Sequence, residues 1–150
     1  MDGLTTIPSS FGPKETADRL EAGAGAQGMN IFTRINHAAL AAEAGMALRP
    51  TEVLLFGNPR GGTPLMQAGQ TIGIDLPLKA LVWQDAAGKT WISYNEPAWL
   101  AQRHGLGPGT EKITSPMSQA LNTIAKNAAG ASSTTPILST ERNATTSAIS

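Results

Sequence analysis

A chain of 150 residues, 41% of them hydrophobic, can bury one compact core and little more. Eleven basic and eleven acidic residues cancel to a formal net charge of zero, and the basic ones are scattered. A phosphate backbone demands a concentrated positive surface, so nucleic acid is not expected as a partner, and the absence of cysteine excludes disulfides, thiolate catalysis and thiolate metal sites.

The N-terminus, Met1 to Pro8, lacks a basic segment followed by an apolar run, so no signal peptide is expected. No apolar stretch approaches the roughly 20 residues needed to span a bilayer. A cytoplasmic location is the expectation, with the periplasm as the alternative if a leader has been removed.

Leu4 to Ile7 reads as a short strand stopped by Pro8. Gly12-Pro13-Lys14-Glu15 starts a helix: proline suits the first helical position and glutamate its positive end. Ala17, Leu20 and Ala24 form its apolar stripe, Gly23 and Gly25 predict fraying, and Gly28 is the stop. Met29 to Ile35 alternates as a half-buried strand, with Met29, Ile31 and Ile35 on one face and Asn30 and Arg34 on the other. Asn36 caps a short alanine-rich helix, His37 to Ala44, closed by Gly45.

Thr51 to Phe56 is apolar on both faces through Val53-Leu-Leu-Phe56, which predicts a central strand or a covered face. The segment Gly57-Asn-Pro-Arg-Gly-Gly-Thr-Pro64 reads as a glycine-rich loop leading to a short helix, Leu65 to Ala68. Gln70 to Pro77 reads as loop. Leu78 to Trp83 and Lys89 to Tyr94 flank Asp85-Ala-Ala-Gly88 and predict an antiparallel hairpin. Asn95 caps a helix from Pro97 to His104 that Gly105 ends. Ser115-Pro116 opens a last helix, with Met117, Leu121, Ile124 and Ala128 as its stripe and Gly130 as its end.

The expected fold is α+β: a mostly antiparallel sheet of about four to five strands with helices on one face, in β-α-β(n)-α order. Residues 1–130 make the single domain. Residues 131–150, rich in serine and threonine, read as a flexible tail.

The glycine loop is the first candidate site. Gly61 and Gly62 permit close backbone approach, Asn58 and Thr63 offer polar side chains at a helix start, and Arg60 supplies a positive fork. Together they suit a small anionic or amphipathic ligand. The ending is not Gly-Lys-Ser/Thr, so the loop is not a P-loop. His37 joins this set as a ligand contact or general base, and His104 reads as a helix cap. Neither histidine has a cysteine or carboxylate at ligand spacing, so no metal is expected, and no cofactor motif appears. No paired carboxylates and no Gly-x-Ser-x-Gly elbow appear, so no catalytic residues are assigned. Lys79 reads as an edge or interface lysine with a packed stem. Trp83, Trp91, Tyr94 and Trp99 read as core and dimer seam.

Arg49-Pro-Thr-Glu-Val-Leu-Leu-Phe-Gly-Asn-Pro59, Thr63-Pro-Leu-Met-Gln67, Ile74-Asp-Leu-Pro-Leu-Lys-Ala-Leu-Val-Trp83 and Trp91-Ile-Ser-Tyr-Asn-Glu-Pro-Ala-Trp-Leu100, with Asn36-His37 and Arg103-His-Gly-Leu106, resemble the bacterial "domain of unknown function 302" family. The likeness covers roughly Leu4 to Ile124. It implies an α+β fold like one TATA-binding-protein repeat and a homodimer, and it carries over no catalytic residues. Three readings follow. The first is a non-catalytic homodimeric binding module with a pocket bordered by residues 58–63. The second is a small-molecule enzyme with His37 as base and Arg60 as anion anchor. The third is a structural partner domain recruited by its tail.

Overall fold

The computed structural model describes residues 1–131, so the expected tail lies outside the described residues apart from Ala131. Five strands, β1 (Leu4–Ser9), β2 (Asn30–Asn36), β3 (Thr51–Gly57), β4 (Leu78–Gln84) and β5 (Thr90–Asn95), form one sheet in the order β1-β5-β4-β3-β2. Every neighbouring pair is antiparallel. The helices are α1 (Pro13–Ala26), α2 (His37–Glu43), α3 (Pro59–Ala68), α4 (Pro97–Arg103) and α5 (Glu111–Ala129). Helices α1 and α5 pack against each other and against one face of the sheet. This is the α+β architecture that the sequence predicts.

The two periodicities meet in the core. From β3 to β5, alternate residues Leu54, Phe56, Ala80, Val82, Ile92 and Tyr94 point at the helices. Leu20 and Ala24 of α1 and Leu121, Ile124 and Ala128 of α5 answer them at spacings of three and four. Strand β3 is apolar on both faces because it lies inside the sheet: Leu54 and Phe56 are fully buried, Val53 and Leu55 half-buried on the outer face.

Several local expectations change. Helix α1 runs unbroken through Gly23 and Gly25, because Ala24 between them is fully buried and packing outweighs propensity. It ends as expected: Gly28 takes φ +76°, and the Met29 N–H donates to the Ala24 carbonyl at 3.0 Å. Pro8 does not end β1, which continues to Ser9; β1 is an edge strand, where a missing N–H costs little. A bulge between Ile31 and Thr33 shifts the alternation in β2. Arg34 therefore lies opposite core-facing Leu54, on the helix side, rather than with Asn30. There it bonds Glu52 at 3.0 Å and Asp18 and Glu21 at 2.9 Å.

Lys79 is not on an edge: β4 is the central strand. The segment expected as loop after α3 contains a 3₁₀ helix, Gln70–Asp75. Helix α5 starts at Glu111, so Pro116 lies inside it rather than at its start. The aromatic group divides. Tyr94 is buried under the helices, while Trp83 and Trp91 stack at 6.1 Å between ring centroids on the outer sheet face. Trp99 covers Gly3 at the surface.

Candidate functional site

The glycine-rich segment after β3 is helix from Pro59 onward, not loop. Asn58 is the cap, its side-chain oxygen accepting from the Arg60 N–H at 2.9 Å. The Gly61 and Gly62 N–H groups both donate to the Asn58 carbonyl, at 2.9 and 3.1 Å. Pro59 has no N–H, so each amide of the first turn already has its partner within the chain. An anion cradle of free backbone amides is thus absent from this turn, and the expectation built on it is replaced by what the helix does with its side.

Pro59, Gly62, Thr63 and Met66 recur at helical spacing and face a cavity of 390 Å³. Its other walls are Phe32 of β2, Leu55 and Gly57 of β3, Met117 of α5, and Gly73, Leu76, Pro77 and Leu78 from the 3₁₀ helix to β4. Only Asn58 and Thr63 among the lining side chains carry polar atoms. The volume falls within the range of small-molecule sites. The glycines make room for it. A Cβ at Gly61 would lie 2.8 Å from the Met117 methyl, so Gly61 lets α3 approach α5. A Cβ at Gly62 would sit 3.6 Å from Leu76, in ordinary contact, pointing at the lumen. Arg60 is exposed next to the lining residue Pro59, and its guanidinium bonds no protein group among the described residues. Beyond Leu78, the Lys79 ammonium donates to the carbonyls of Asp75 and Pro77, both at 3.2 Å. Burial pushes its pKa down, against the opposing pull of the Asp75 carboxylate.

Of the residues singled out in the sequence, Asn58, Gly62 and Thr63 line this cavity, Gly61 adjoins the lining residue Met117, and Arg60 is exposed beside Pro59 without lining it. His37 is elsewhere. It follows Asn36, which pairs with Glu52 at the far end of β3 from Gly57. Five residues of strand, at about 3.3 Å each, separate the two ends by about 16 Å. His37 and Arg60 therefore do not converge on one pocket. A larger cleft of 610 Å³ lies near the His37 end, but its charged walls are already paired, Arg34 with Glu52 and Lys14 with Asp18. The walls contributed by Phe32, Met66, Leu76 and Met117 were not legible as site residues. They look like ordinary core positions, and only the tertiary fold leaves a void between them.

Among the described residues no helix is long and apolar enough to cross a membrane. A protein named fluoride-specific ion channel FluC 1, from Brucella suis biovar 1 (strain 1330), is 50% identical over 128 residues, 85% of this chain and 50% of that protein. A protein of the same name from Brucella abortus biovar 1 (strain 9-941) is also 50% identical over 128 residues, covering 47% of its length. The chain thus spans about half the length of the curated relatives it matches. The crystal structure of an uncharacterized conserved DUF302 protein from Bacillus stearothermophilus superimposes with a TM-score of 0.77 at 22% identity, over 85% of this chain and 99% of that one. That likeness is one of fold. With the family model matching residues 5–124 across the sheet, the cavity and most of α5, the chain belongs to the family described as Domain of unknown function DUF302.

Proposed function

We propose that this protein is a small binding module, homodimeric, whose cavity beside α3 takes the apolar part of an amphipathic anion. The 390 Å³ void with almost wholly apolar walls carries the reading. Apolar walls favour a hydrocarbon group by removing its surface from water, at about 25 cal/mol per Å². Asn58 and Thr63 mark the polar end, and Arg60, exposed and without a side-chain partner among the described residues, supplies the charge for a carboxylate or phosphate head. The support for a dimer is the outer sheet face. Val53, Leu81, Trp83 and Trp91 lie there half-buried, with no helix packed over them among the described residues.

The matched relatives add a context. A pore through a membrane requires spanning helices or a closed barrel. Among the described residues this open sheet with helices on one face supplies neither, and an accessory, ligand-sensing role beside a channel suits the matched part.

Calorimetric titration with decanoate and with decanol tests the cavity. Decanoate is expected to bind, Arg60→Ala to weaken it by about tenfold while leaving decanol unchanged, and Gly62→Leu to abolish both by filling the lumen. Equal affinities in all three proteins, or no binding by the wild type, would remove the reading.

A further inference from the structure

We propose that Thr71, His104 and Asp75 form a nucleophile, base and orienting acid that hydrolyse small esters, at a site separate from the cavity. The carrying observation is an unbroken line of contacts. Thr71 Oγ1 lies 2.9 Å from His104 Nδ1, and His104 Nε2 lies 2.5 Å from Asp75 Oδ2. A hydroxyl is a weak nucleophile until an adjacent base takes its proton, and the base works best when a third group orients it. Here the ionised carboxylate can only accept, so in the neutral ring Nε2 carries the proton. Nδ1 is left with its lone pair toward the threonine hydroxyl.

The surroundings fit that assignment. Arg103 donates to the same Asp75 oxygen at 2.6 Å. Burial pushes the Asp75 carboxyl up, but the bonds from His104 and Arg103 outweigh it and hold the group below the usual carboxylate range. It therefore stays charged at neutral pH and stabilises an imidazolium. Thr71 is exposed, as a nucleophile must be, while the His104 side chain is only 9% exposed. Both supports are anchored in one small core. Ile72, next to Thr71, is fully buried with Leu65 and Leu100, and the His104 N–H donates to the Leu100 carbonyl at 3.2 Å. The geometry is thus fixed before a substrate arrives. Arg103, half exposed, keeps N–H donors without a protein partner among the described residues. These suit the oxyanion or an anionic group on the ester.

The step balances as acyl transfer. Thr71 Oγ1 bonds to the ester carbonyl carbon as its proton passes to His104 Nδ1. The carbon–alkoxy bond then breaks and the leaving alkoxide takes that proton. Water, deprotonated by the same nitrogen, attacks the threonyl ester and releases the acid, restoring the hydroxyl.

The test uses the full chain with p-nitrophenyl acetate and a fluorophosphonate probe, and peptide mass spectrometry locates the adduct. A fluorophosphonate adduct on Thr71 is expected, together with ester turnover. Thr71→Ala, an exposed change, should lose both, and Thr71→Ser should keep both. His104→Gln should slow labelling by about 100-fold or more. Asp75→Asn, a positioning change, should alter the pH profile of labelling rather than remove the adduct. No adduct on wild-type Thr71, or labelling at the same rate in His104→Gln, would show that the line of contacts only ties the 3₁₀ helix to α4. Neither result bears on decanoate binding, so the two sites stand or fall separately.

Discussion

Gly61 and Gly130 show how one missing methyl group can mean opposite things. At Gly61 an added Cβ would meet the Met117 methyl at 2.8 Å, the far end of a side chain that can swing into the cavity. Alanine also gains about 0.8–1 kcal/mol over glycine inside a helix. Gly61→Ala is therefore expected to leave the denaturation midpoint nearly unchanged while weakening decanoate binding, because the displaced methyl occupies the lumen. Gly130 ends α5 with φ +79°, and its Cβ would meet the Phe11 ring at 2.8 Å. Moving that ring would disturb its contact with Arg19, whose guanidinium lies 4.2 Å from its centroid. Gly130→Ala should cost about 1–2 kcal/mol from the left-handed backbone alone, read by urea denaturation. Asp75 gives a pH prediction. Its folded-state pKa is lowered, so its stabilisation is present above the unfolded value of about 3.9 and is lost as pH falls through the folded one. The gap in melting temperature between wild type and Asp75→Asn should close as the solution is acidified below about pH 4. A gap that persists to lower pH would show that the carboxylate contributes nothing through its ionisation.

At the scale of elements, two devices position the site. The first is the Asn58 cap, which uses both its side chain and its carbonyl to start α3 where β3 ends. Asn58→Ala is expected to cost about 1 kcal/mol and to loosen the first turn of the cavity wall, seen as faster amide exchange at Arg60 and Gly61. The second is Arg34, which the β2 bulge turns toward α1. It joins β2 to Glu52 on β3 and to Asp18 and Glu21 on α1. Its side chain is only 25% exposed, so Arg34→Met leaves a half-buried Glu52 without its partner. A loss of about 1–3 kcal/mol is expected, and a double change with Glu52→Gln should recover part of it if the cost is the orphaned carboxylate.

For the whole molecule, the sheet has one face closed by α1 and α5 and one face open. The closed face is a conventional core. On the open face the stacked Trp83 and Trp91 and the neighbouring Leu81 and Val53 present apolar surface that no helix among the described residues covers. Light scattering after size exclusion is expected to give a dimer at micromolar concentration, and Leu81→Lys a folded monomer. A wild-type monomer under those conditions would discard the dimer and leave the cavity reading untouched.

The sequence by itself determined the sheet and its helical cover, because period-two and period-3.6 apolar patterns have few ways to close over a common core. It also located the hairpin, most helix stops and the segment from Asn58 to Thr63 as a place of interest, since capping and turn chemistry are local. The tertiary structure decided what that segment does. Whether Pro-Arg-Gly-Gly is loop or helix depends on packing of Gly62 against Leu76 and of Gly61 against Met117, residues 14 and 56 positions away in sequence. The void between α3, β3 and the 3₁₀ helix exists only once those elements are in place. The juxtaposition of Thr71, Asp75 and His104 is likewise a product of the fold: the 3₁₀ helix is laid against the end of α4, bringing together residues as many as 33 positions apart. Local propensity acts over a few residues, whereas a cavity or a proton path needs side chains that only the folded chain brings within a few ångströms.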